Sequence, residues 1–275
     1  MMKTIDSLEE VQKIEFDILV YIDNYCKKNN LRYFLAGGTL LGAVRHKSFI
    51  PWDDDLDIAM PRPDYDKLLE NFNSYAVAEE LPYCIKFIRN DDNYCFPFAK
   101  IQDSRTVINE RNRPKFNCSN MGIYVDIFPI DGFPSNESGS VKKLVSVQKK
   151  CFRMGLSFSS YINLNFYEKL KLTFYKIMFS FRNREKLIEN EQDKLRKYDF
   201  DKSPYVVSTF GMKGEKEIIE QKYFSKAIKM KFVDREFMVP IGYDEYLTQM
   251  YGDYMKLPPE EQRISPHDIE AYWRD

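Results

Sequence analysis

Three aspartates, Asp53, Asp55 and Asp57, stand two residues apart and carry the strongest chemical signal in this sequence. Polar and apolar residues alternate over 55–60, which predicts a strand. Side chains two apart in a strand share a face, so these carboxylates converge if the extended conformation begins at Asp53, while Asp54 points away. Crowded carboxylates repel unless a cation joins them, and oxygen ligands without nearby thiols favour Mg²⁺ or Mn²⁺. The motif therefore predicts a metal site that supports phosphoryl transfer.

A glycine pair, Gly37 and Gly38, precedes the acidic motif and follows a short apolar run over 31–36 that predicts a strand. Glycine allows backbone N–H groups to approach an anion closely. Thr39 is expected to cap a helix over 40–46, and a helix N-terminus favours a phosphate group. We therefore expect the glycine turn to hold a diphosphate.

A further acid, Asp126, lies in the apolar run 123–128, which predicts a buried strand. An unpaired buried carboxylate costs several kcal/mol, so Asp126 needs a partner. A metal shared with the acidic motif would be one such partner, and an N-cap or a structural ion pair would be another. Asp126 could also accept the proton of an incoming hydroxyl group. Asp131, followed by Gly132, has the pattern of a turn residue.

Basic side chains near these acids are candidates for contacts with the phosphates of a donor. Arg45 and His46 follow the glycine turn, although a solvated helix end would also favour cations there. Lys100 lies in an apolar strand pattern and Arg105 follows it, so either could neutralise a transferred phosphoryl group or form a surface ion pair. His267 has no partner at a spacing typical of a metal site, and we interpret it as part of a loop.

The overall composition narrows the classes of function. The 41 Lys and Arg residues balance 42 Asp and Glu residues to a formal charge of −1, which does not favour a nucleic-acid partner. The 5 cysteines are widely spaced without a C-x-x-C pair, so we expect reduced thiols. The chain begins without an apolar signal core, and no run approaches about 18 apolar residues. We expect a cytoplasmic protein that contacts a membrane only at a surface.

Apolar spacing predicts helices and strands that are mixed through the first half of the chain. A helix is expected over 7–28, where Ser7 and Glu10 form a capping box, and Asp64 is expected to cap another that ends near Phe72. Further strands are predicted over residues 83–89, 96–102, 106–109, 123–128, 205–208 and 231–239, with a last helix over 243–251.

The fold class that these patterns indicate is α/β (α+β) with a mixed sheet. We predict a catalytic core over 1–135, a mainly helical insertion over 136–200, and a C-terminal segment over 201–275 that packs back on the core. Basic residues interleaved with aromatic ones dominate 141–184, where Glu168 is the one acid. Such a region either rests on an anionic membrane or forms the basic outer face of an ordinary helical subdomain. The basic residues are Lys142, Lys143, Lys149, Lys150, Arg153, Lys169, Lys171, Lys176, Arg182 and Arg184.

The motifs together resemble a known superfamily. A strand, a glycine pair, a helix, a D-x-D strand and a later strand-borne aspartate resemble the nucleotidyltransferases. The string over 37–60, G-G-T-L-L-G-A-V-R-H-K-x-F-I-P-W-D-D-D-L-D-I-A-M, closely resembles the LicD family. The resemblance continues over 125–132 and more loosely over 239–254, and it is weakest over about 135–230.

This resemblance implies transfer of phosphocholine from CDP-choline, or from a similar CDP-alcohol, to a sugar hydroxyl of a cell-surface glycan. The acceptor would be a lipid-linked precursor of lipopolysaccharide or teichoic acid, reached at the inner face of the cytoplasmic membrane, and CMP would be released. Aromatic faces and a carboxylate typically hold a choline headgroup. Trp52, beside the acidic motif, is the first candidate for this contact, and a core anchor is its alternative role.

Two other functions remain open at this stage. One is a nucleotidyltransferase that places NMP from NTP on a small-molecule or protein hydroxyl and releases pyrophosphate. The other is a non-catalytic module that binds a glycan or a nucleotide, although the intact acidic residues argue against it. The motif also does not distinguish choline from ethanolamine or ribitol as the headgroup.

Overall fold

The sheet that carries the acidic motif is assembled from strands that lie far apart in the sequence. A computed structural model describes residues 3–91, 94–110, 121–157, 165–180, 183–211, 213–265 and 269–274. In chain order its strands and α-helices are β1 Lys3–Ile5, α1 Leu8–Asn29, β2 Phe34–Leu35, α2 Gly37–Arg45, β3 Asp57–Pro61, α3 Arg62–Ala78, β4 Tyr83–Lys86, β5 Ala99–Asp103, β6 Thr106–Glu110, β7 Tyr124–Phe133, α4 Ser138–Leu156, α5 Phe166–Phe179, α6 Arg184–Arg196, β8 Tyr205–Ser208, β9 Ile218–Glu220, β10 Ala227–Phe232, β11 Arg235–Pro240, α7 Tyr243–Tyr251 and β12 Ile269–Trp273. Cys118, one of the cysteines predicted to be reduced, and His267, predicted to belong to a loop, lie outside the described residues.

Seven strands form the central mixed sheet. Five of them run in the order β2-β3-β7-β5-β4, and β8 and β9 extend the sheet from the second half of β7. β3 and β7 are parallel, whereas the other neighbours are antiparallel. Helices α1, α3 and α6 contact β7, so helices cover this sheet. The predicted α/β (α+β) fold class is confirmed.

Helix α1 confirms the first helical prediction. Ser7 is its N-cap and accepts a hydrogen bond from the backbone N–H of Glu10 at 3.1 Å. The Glu10 carboxylate accepts a hydrogen bond from Trp273 Nε1 at 3.2 Å, so the described contacts contain only the serine half of a capping box. Ile18 and Leu19 are fully buried, and each such side chain contributes about 1.5–3 kcal/mol relative to an exposed one.

Helix α2 differs from the prediction at its start. It begins at Gly37 with Ala36 as N-cap, so Thr39 lies inside the first turn and does not cap the helix. The reason is that the backbone N–H of Ala36 still bonds to the carbonyl of Asp57, at 3.1 Å, and the helix follows at once. Thr39 Oγ1 instead accepts a hydrogen bond from the backbone N–H of Asp57 at 2.7 Å. Thr39 therefore fastens α2 to β3.

Helix α3 is longer than predicted. It begins at Arg62 after Pro61 as N-cap and runs to Ala78, so Asp64 lies in its first turn and is not the cap. Proline is suited to this place because it has no N–H to leave unbonded at the start of a helix. Asp64 forms an ion pair with Arg32, whose Nε lies 2.7 Å from Asp64 Oδ2.

Strand β7 is also longer than predicted, and the interpretation of Asp131 as a turn residue was wrong. Asp131 lies within β7 and is fully buried. It accepts two hydrogen bonds from Arg62 at 2.7 Å each and a third from Thr209 at 2.6 Å. Such bidentate pairing stabilises a buried carboxylate, and it joins residues too distant for a local pattern to reveal.

The other strands were predicted in part. β4, β5, β6 and β8 confirm their predictions, and α7 has the predicted bounds. The strand predicted over 231–239 is instead the hairpin of β10 and β11, because the chain turns at Val233, which has a φ of 58°. β1, β9 and β12 were not predicted, since they are short, and β1 and β12 form by pairing across distant parts of the chain.

Helices α4, α5 and α6 account for the helical character predicted over 136–200. Leu144 of α4 and Ile188 of α6 are fully buried in the main hydrophobic cluster, whereas Leu172 is the buried residue of α5. Within the described ranges, no helix is both long and apolar enough to cross a bilayer. The described cysteines, which are Cys26, Cys84, Cys95 and Cys151, are free thiols, as predicted.

Candidate active site

Asp57, Asp126 and Lys100 form one row across three neighbouring strands. Asp57 pairs in register with Asp126 across β3 and β7, and Lys100 pairs with Asp126 across β5 and β7. An ion pair joins Lys100 Nζ to Asp126 Oδ1. The ammonium group also lies 3.5 Å from the centre of the Tyr124 ring and 4.5 Å from that of Phe96. Lys100 is therefore the partner that the buried carboxylate required, and the metal and proton-acceptor roles of Asp126 stay predictions.

The three acids before β3 are close together although they do not belong to a strand. A turn over 51–52 leads directly into them, and β3 begins only at Asp57. The alternation of side chains between two faces, which required an extended strand from Asp53, therefore does not apply. One carboxylate oxygen from each of Asp53, Asp54 and Asp55 lies within 4.8 Å of the others. Asp54, which was expected to point away, keeps one oxygen within this cluster, while it is buried and accepts a hydrogen bond from Ser265 at 2.6 Å.

The glycine pair allows two carboxylates to reach the first turn of α2. A Cβ at Gly37 would lie 2.7 Å from Asp57 Oδ2, and a Cβ at Gly38 would lie 2.7 Å from Asp53 Oδ2. Gly37 also has a φ of +52°, which residues with a side chain rarely adopt. The glycines thus let anionic groups approach this turn closely, as the sequence predicted. In this structure those groups are the carboxylates of Asp57 and Asp53.

Glu15 in α1 is a buried acid that sequence analysis missed. It is 2% exposed, and its Oε2 has no hydrogen-bond partner in the part of the chain that the structure describes. Burial raises the pKa of Glu15 well above its ordinary value, and the charges of Asp55, Asp54, Asp53 and Asp126 raise it further. The sequence signal that could have revealed this residue is the position of a glutamate on the apolar face of the amphipathic helix α1.

Burial and mutual repulsion raise the pKa of Asp53 and of Asp57 as well. Burial first, and then the charge of Asp55, raises the pKa of Asp53 to about 8, and the two side chains share a hydrogen bond. Burial and the charges of Asp55 and Asp126 raise the pKa of Asp57 well above its usual range, while Lys100 acts in the opposite direction. An all-oxygen set in which carboxylates outnumber the nearby cation Lys100 fits a hard cation such as Mg²⁺ or Mn²⁺.

Asp53, Asp55 and Asp57 line an open cleft of about 450 Å³ together with Gly37 and Gly38. These acids and glycines were the core of the predicted site, and the structure brings them to one surface. Asp126 does not belong to this lining and lies beside Asp57 in the sheet. The cleft therefore joins the acidic motif to the start of α2.

Residues from the C-terminal part of the chain complete the cleft, and sequence analysis did not identify them. They include Lys213, Glu217, Tyr246 and Tyr251. The Tyr246 hydroxyl accepts a hydrogen bond from the backbone N–H of Gly37 at 3.4 Å, so α7 reaches the glycine pair directly. Sequence patterns gave these positions no role, although the family resemblance over 239–254 includes Tyr246 and Tyr251, because only the packing of α7 and of the segment before β9 brings them to the acids.

Four predicted phosphate contacts, Arg45, His46, Lys100 and Arg105, lie outside the cleft lining. Arg45 donates hydrogen bonds to His46 Nε2 and to the carbonyl of Tyr254, both at 2.9 Å, at the opposite end of α2 from the glycines. Arg105 forms an ion pair with Asp103 at 2.6 Å. The structure does not bring Arg45, His46 or Arg105 together with the acids.

Trp52 lines the cleft, as its position beside the acidic motif suggested. The guanidinium of Arg263 lies 5.9 Å from the centre of its ring, and the His46 ring lies 6.4 Å away at 81°. Trp52 therefore already contacts one cation of the protein, and its role in headgroup binding stays a prediction.

A glycine-started helix beside a cleft lined by carboxylates at the start of a strand resembles the arrangement of a nucleotidyltransferase-type domain. The family model described as LicD/FKTN/FKRP, nucleotidyltransferase domain, matches residues 30–153. The lipopolysaccharide cholinephosphotransferase LicD of Haemophilus influenzae is 34% identical over 279 aligned residues, which cover 97% of this chain and 98% of that protein. The chain therefore belongs to the LicD family, and the resemblance found in its motifs is confirmed.

Two further relatives are similar over shorter stretches. An uncharacterized protein of Rickettsia typhi is 34% identical over 121 residues, which cover 42% of this chain and 34% of that protein. The human ribitol 5-phosphate transferase FKRP is 45% identical over 40 residues, which cover 14% of this chain and 8% of that protein.

The raised pKa values predict how stability depends on pH when divalent metal is removed. The folded chain binds more protons than the unfolded chain between the ordinary pKa of an aspartate and the value of about 8 for Asp53. Stability is therefore greatest below this interval and falls as pH rises through it. We expect the Tm of chelator-treated protein to drop by about 5 °C or more between about pH 5 and about pH 9.

Calorimetry in parallel with Mn²⁺ would measure this effect, and Mn²⁺ should restore most of the lost stability at high pH. The variant Asp53→Asn should show a flatter profile because it removes one titrating group. A Tm that stays constant or rises over the same interval in chelator would contradict the prediction.

Gly38→Ala should displace the Asp53 carboxylate, because the new Cβ would lie 2.7 Å from Oδ2. We expect Mn²⁺ affinity, measured by calorimetry, to fall roughly 10-fold or more, since groups that orient metal ligands have effects of this size. The matched control is Gly139→Ala in the first turn of α4, where a Cβ meets nothing within 4 Å. Wild-type Mn²⁺ affinity in folded Gly38→Ala protein would contradict this interpretation of the glycine.

Proposed function

We propose that this chain transfers phosphocholine from CDP-choline to a hydroxyl group of a glycan and releases CMP. The observation that carries the proposal is the convergence of Asp53, Asp55 and Asp57 on the glycine-started helix α2 within one cleft. Full-length similarity to a lipopolysaccharide cholinephosphotransferase supports both the transferred group and the glycan acceptor. The shorter similarity to a ribitol 5-phosphate transferase supports a phosphorylated alcohol as the transferred group.

In the proposed reaction, the acceptor hydroxyl oxygen attacks the phosphorus that bears choline, and the bond from that phosphorus to CMP breaks. CMP leaves with the electron pair of the broken bond, and the hydroxyl proton passes to a carboxylate. Asp126, in register with Asp57, is the proposed proton acceptor. The backbone at Gly37 and Gly38 and the N-terminus of α2 would bind the diphosphate.

The proposed cofactor is Mg²⁺ or Mn²⁺, held by Asp53, Asp55 and Asp57 together with Asp126. When bound, such an ion would stabilise negative charge on the transferred phosphoryl group. The raised pKa values of Asp53 and Asp57 support this proposal, because a cation would relieve the repulsion that raises them. The unpartnered oxygen of Glu15 supports it in the same way.

The surface of α5 supports a membrane-bound acceptor. Large apolar side chains that are between 59% and 81% exposed recur along this helix, and at about 100° per residue they fall on one stripe. Lys169, Lys171 and Lys176 accompany the stripe, and Glu168 is the acid of the helix. Apolar side chains among lysines are typical of a helix that lies in an anionic membrane surface. The exposed residues are Phe166, Tyr167, Leu170, Phe174 and Ile177.

We accordingly propose that α5 docks on the cytoplasmic face of the membrane, where a lipid-linked glycan would meet the cleft. A nucleotide-activated donor is a cytoplasmic metabolite, which agrees with this side of the membrane. The arrangement would let the protein take a water-soluble donor and a membrane-anchored acceptor at the same time.

Asp57→Ala should abolish phosphocholine transfer while the fold is retained. The expected loss exceeds the roughly 10–100-fold that substitutions around metal ligands cause, because a ligand itself is removed. The measurement is chromatographic separation of nucleotide products after incubation with CDP-choline, CDP-ethanolamine, CDP-ribitol or NTPs plus Mg²⁺. The control is Asp234→Ala in the exposed turn of the β10 and β11 hairpin.

Release of CMP from CDP-choline would support the proposal, whereas pyrophosphate release from an NTP would identify a nucleotidyltransferase instead. The absence of metal-dependent consumption of any donor would favour a non-catalytic binding module. Retained activity of Asp57→Ala at saturating donor and metal would contradict the assigned site.

The double variant Leu170→Glu/Phe174→Glu should lose binding to anionic vesicles, because both side chains are exposed on the apolar stripe of α5. Flotation with phosphatidylglycerol vesicles at low salt would measure the loss, which we expect to be roughly 10-fold or more. The matched control is Val77→Glu, an exposed apolar residue of α3. Wild-type protein that fails to float, or a double variant that floats equally well, would contradict docking through α5.

A further inference from the structure

A carboxylate outside the acidic motif, that of Glu217, also faces the cleft. Glu217 ends a short 3₁₀ turn over 214–217, is 5% exposed, and belongs to the cleft lining. Its Oε1 accepts one hydrogen bond, from the backbone N–H of Lys213 at 3.2 Å. Glu217 forms no ion pair with any residue that the structure describes, although the charge of nearby Lys213 acts on its carboxylate.

The chain is shaped around this carboxylate. A Cβ at Gly211 would overlap the Glu217 carboxyl group, so a side chain at that position would displace this carboxylate. Burial raises the pKa of Glu217 to about 7, which measures how poorly the surroundings solvate its charge. A buried carboxylate that keeps an open side toward a cleft is stabilised by a cation arriving from that cleft.

Two tyrosines of α7 line the cleft with Glu217 and are electrostatically coupled to it. The charge of Glu217 raises the pKa of Tyr246 and of Tyr251, after burial as the larger cause in each case. The Tyr246 ring is held by Phe224, with ring centres 5.8 Å apart, and its hydroxyl reaches Gly37. Tyr246 therefore contacts the glycine turn and lines the same cleft as Glu217.

We propose that Glu217, Tyr246 and Tyr251 form the subsite for the quaternary ammonium group of the donor. This inference rests on the proposed function, and it assigns the headgroup to a different part of the cleft from Trp52. A quaternary ammonium group has no N–H to donate, so it is recognised by a negative charge and by the faces of aromatic rings. Glu217 supplies the charge, and the two tyrosines supply the rings. The Tyr246 hydroxyl at Gly37 sets this subsite beside the proposed diphosphate contact.

The Tyr251 ring already accepts a cation within the fold. Lys213 Nζ lies 5.2 Å from the centre of that ring, which demonstrates that its face is accessible to positive charge. Lys213 also offers the rival explanation for Glu217, which is a structural role as an electrostatic partner of this lysine. The two roles differ in one measurable respect, because only a headgroup subsite distinguishes a charged donor from a neutral one.

The test compares binding of CDP-choline and CDP-glycerol, whose headgroup is neutral, by calorimetry with Mg²⁺ and without acceptor. Wild-type protein should prefer CDP-choline, and Glu217→Gln should lose roughly 10-fold or more in affinity for it. The same variant should change affinity for CDP-glycerol by less than about twofold, which also verifies its fold. The matched control is Glu220→Gln, an exposed glutamate of β9, which should leave both affinities unchanged.

A second pair of variants tests the aromatic part of the subsite. Tyr251→Phe keeps the ring and should retain the preference for CDP-choline, whereas Tyr251→Leu should reduce it. Equal losses for both donors in Glu217→Gln, or an unchanged preference, would overturn the subsite. Release of CMP after acceptor is added is scored separately, so a chain that prefers CDP-choline without transferring phosphocholine would refute the proposed reaction and leave the subsite standing.

Discussion

Electrostatic repulsion among converging carboxylates is the constraint on which this site depends. Asp53, Asp55 and Asp57 line the cleft, while Glu15 and Asp126 approach them from α1 and β7. Holding these groups together costs free energy, because each one loses water and meets others of the same sign. Gln12 of α1 donates a hydrogen bond of 2.8 Å to the carbonyl of Asp53, and Thr39 of α2 accepts one of 2.7 Å from the N–H of Asp57, and both keep the acidic segment in place. The rest of the fold thus maintains an arrangement that the acids themselves oppose.

Asp131 shows how the same strand treats an acid with a structural role. It is fully buried, whereas Asp53, Asp55 and Asp57 are half-buried, and Arg62 binds both of its oxygens while Thr209 donates a third hydrogen bond. Among the described residues near the cleft, Lys100 is the cation that pairs with the acidic cluster, through Asp126. The contrast between the fully paired Asp131 and the mutually repelling acids that line the cleft supports the proposed cation site.

The glycine pair serves two requirements at one place. Gly37 and Gly38 begin α2, where backbone N–H groups face outward, and they also leave the space that the carboxylates of Asp57 and Asp53 occupy. The proposed diphosphate contact and the acidic cluster therefore meet at the same backbone. Tyr246 reaches this point from the C-terminal part of the chain, so the cleft is completed by residues that follow the helical segment.

Local sequence patterns determined the elements that carry the site, because periodicity, glycine pairs and capping residues act over a few neighbouring positions. They were sufficient for α1, for the helix after the glycine pair, for the acidic motif and for the apolar strand with Asp126. Only the tertiary structure decided that Lys100 neutralises Asp126, that Arg62 holds Asp131 in β7, and that Glu15 and Glu217 bring further carboxylates toward the cleft. These pairings join residues far apart in the chain, and burial sets their charge, which no local spacing can encode.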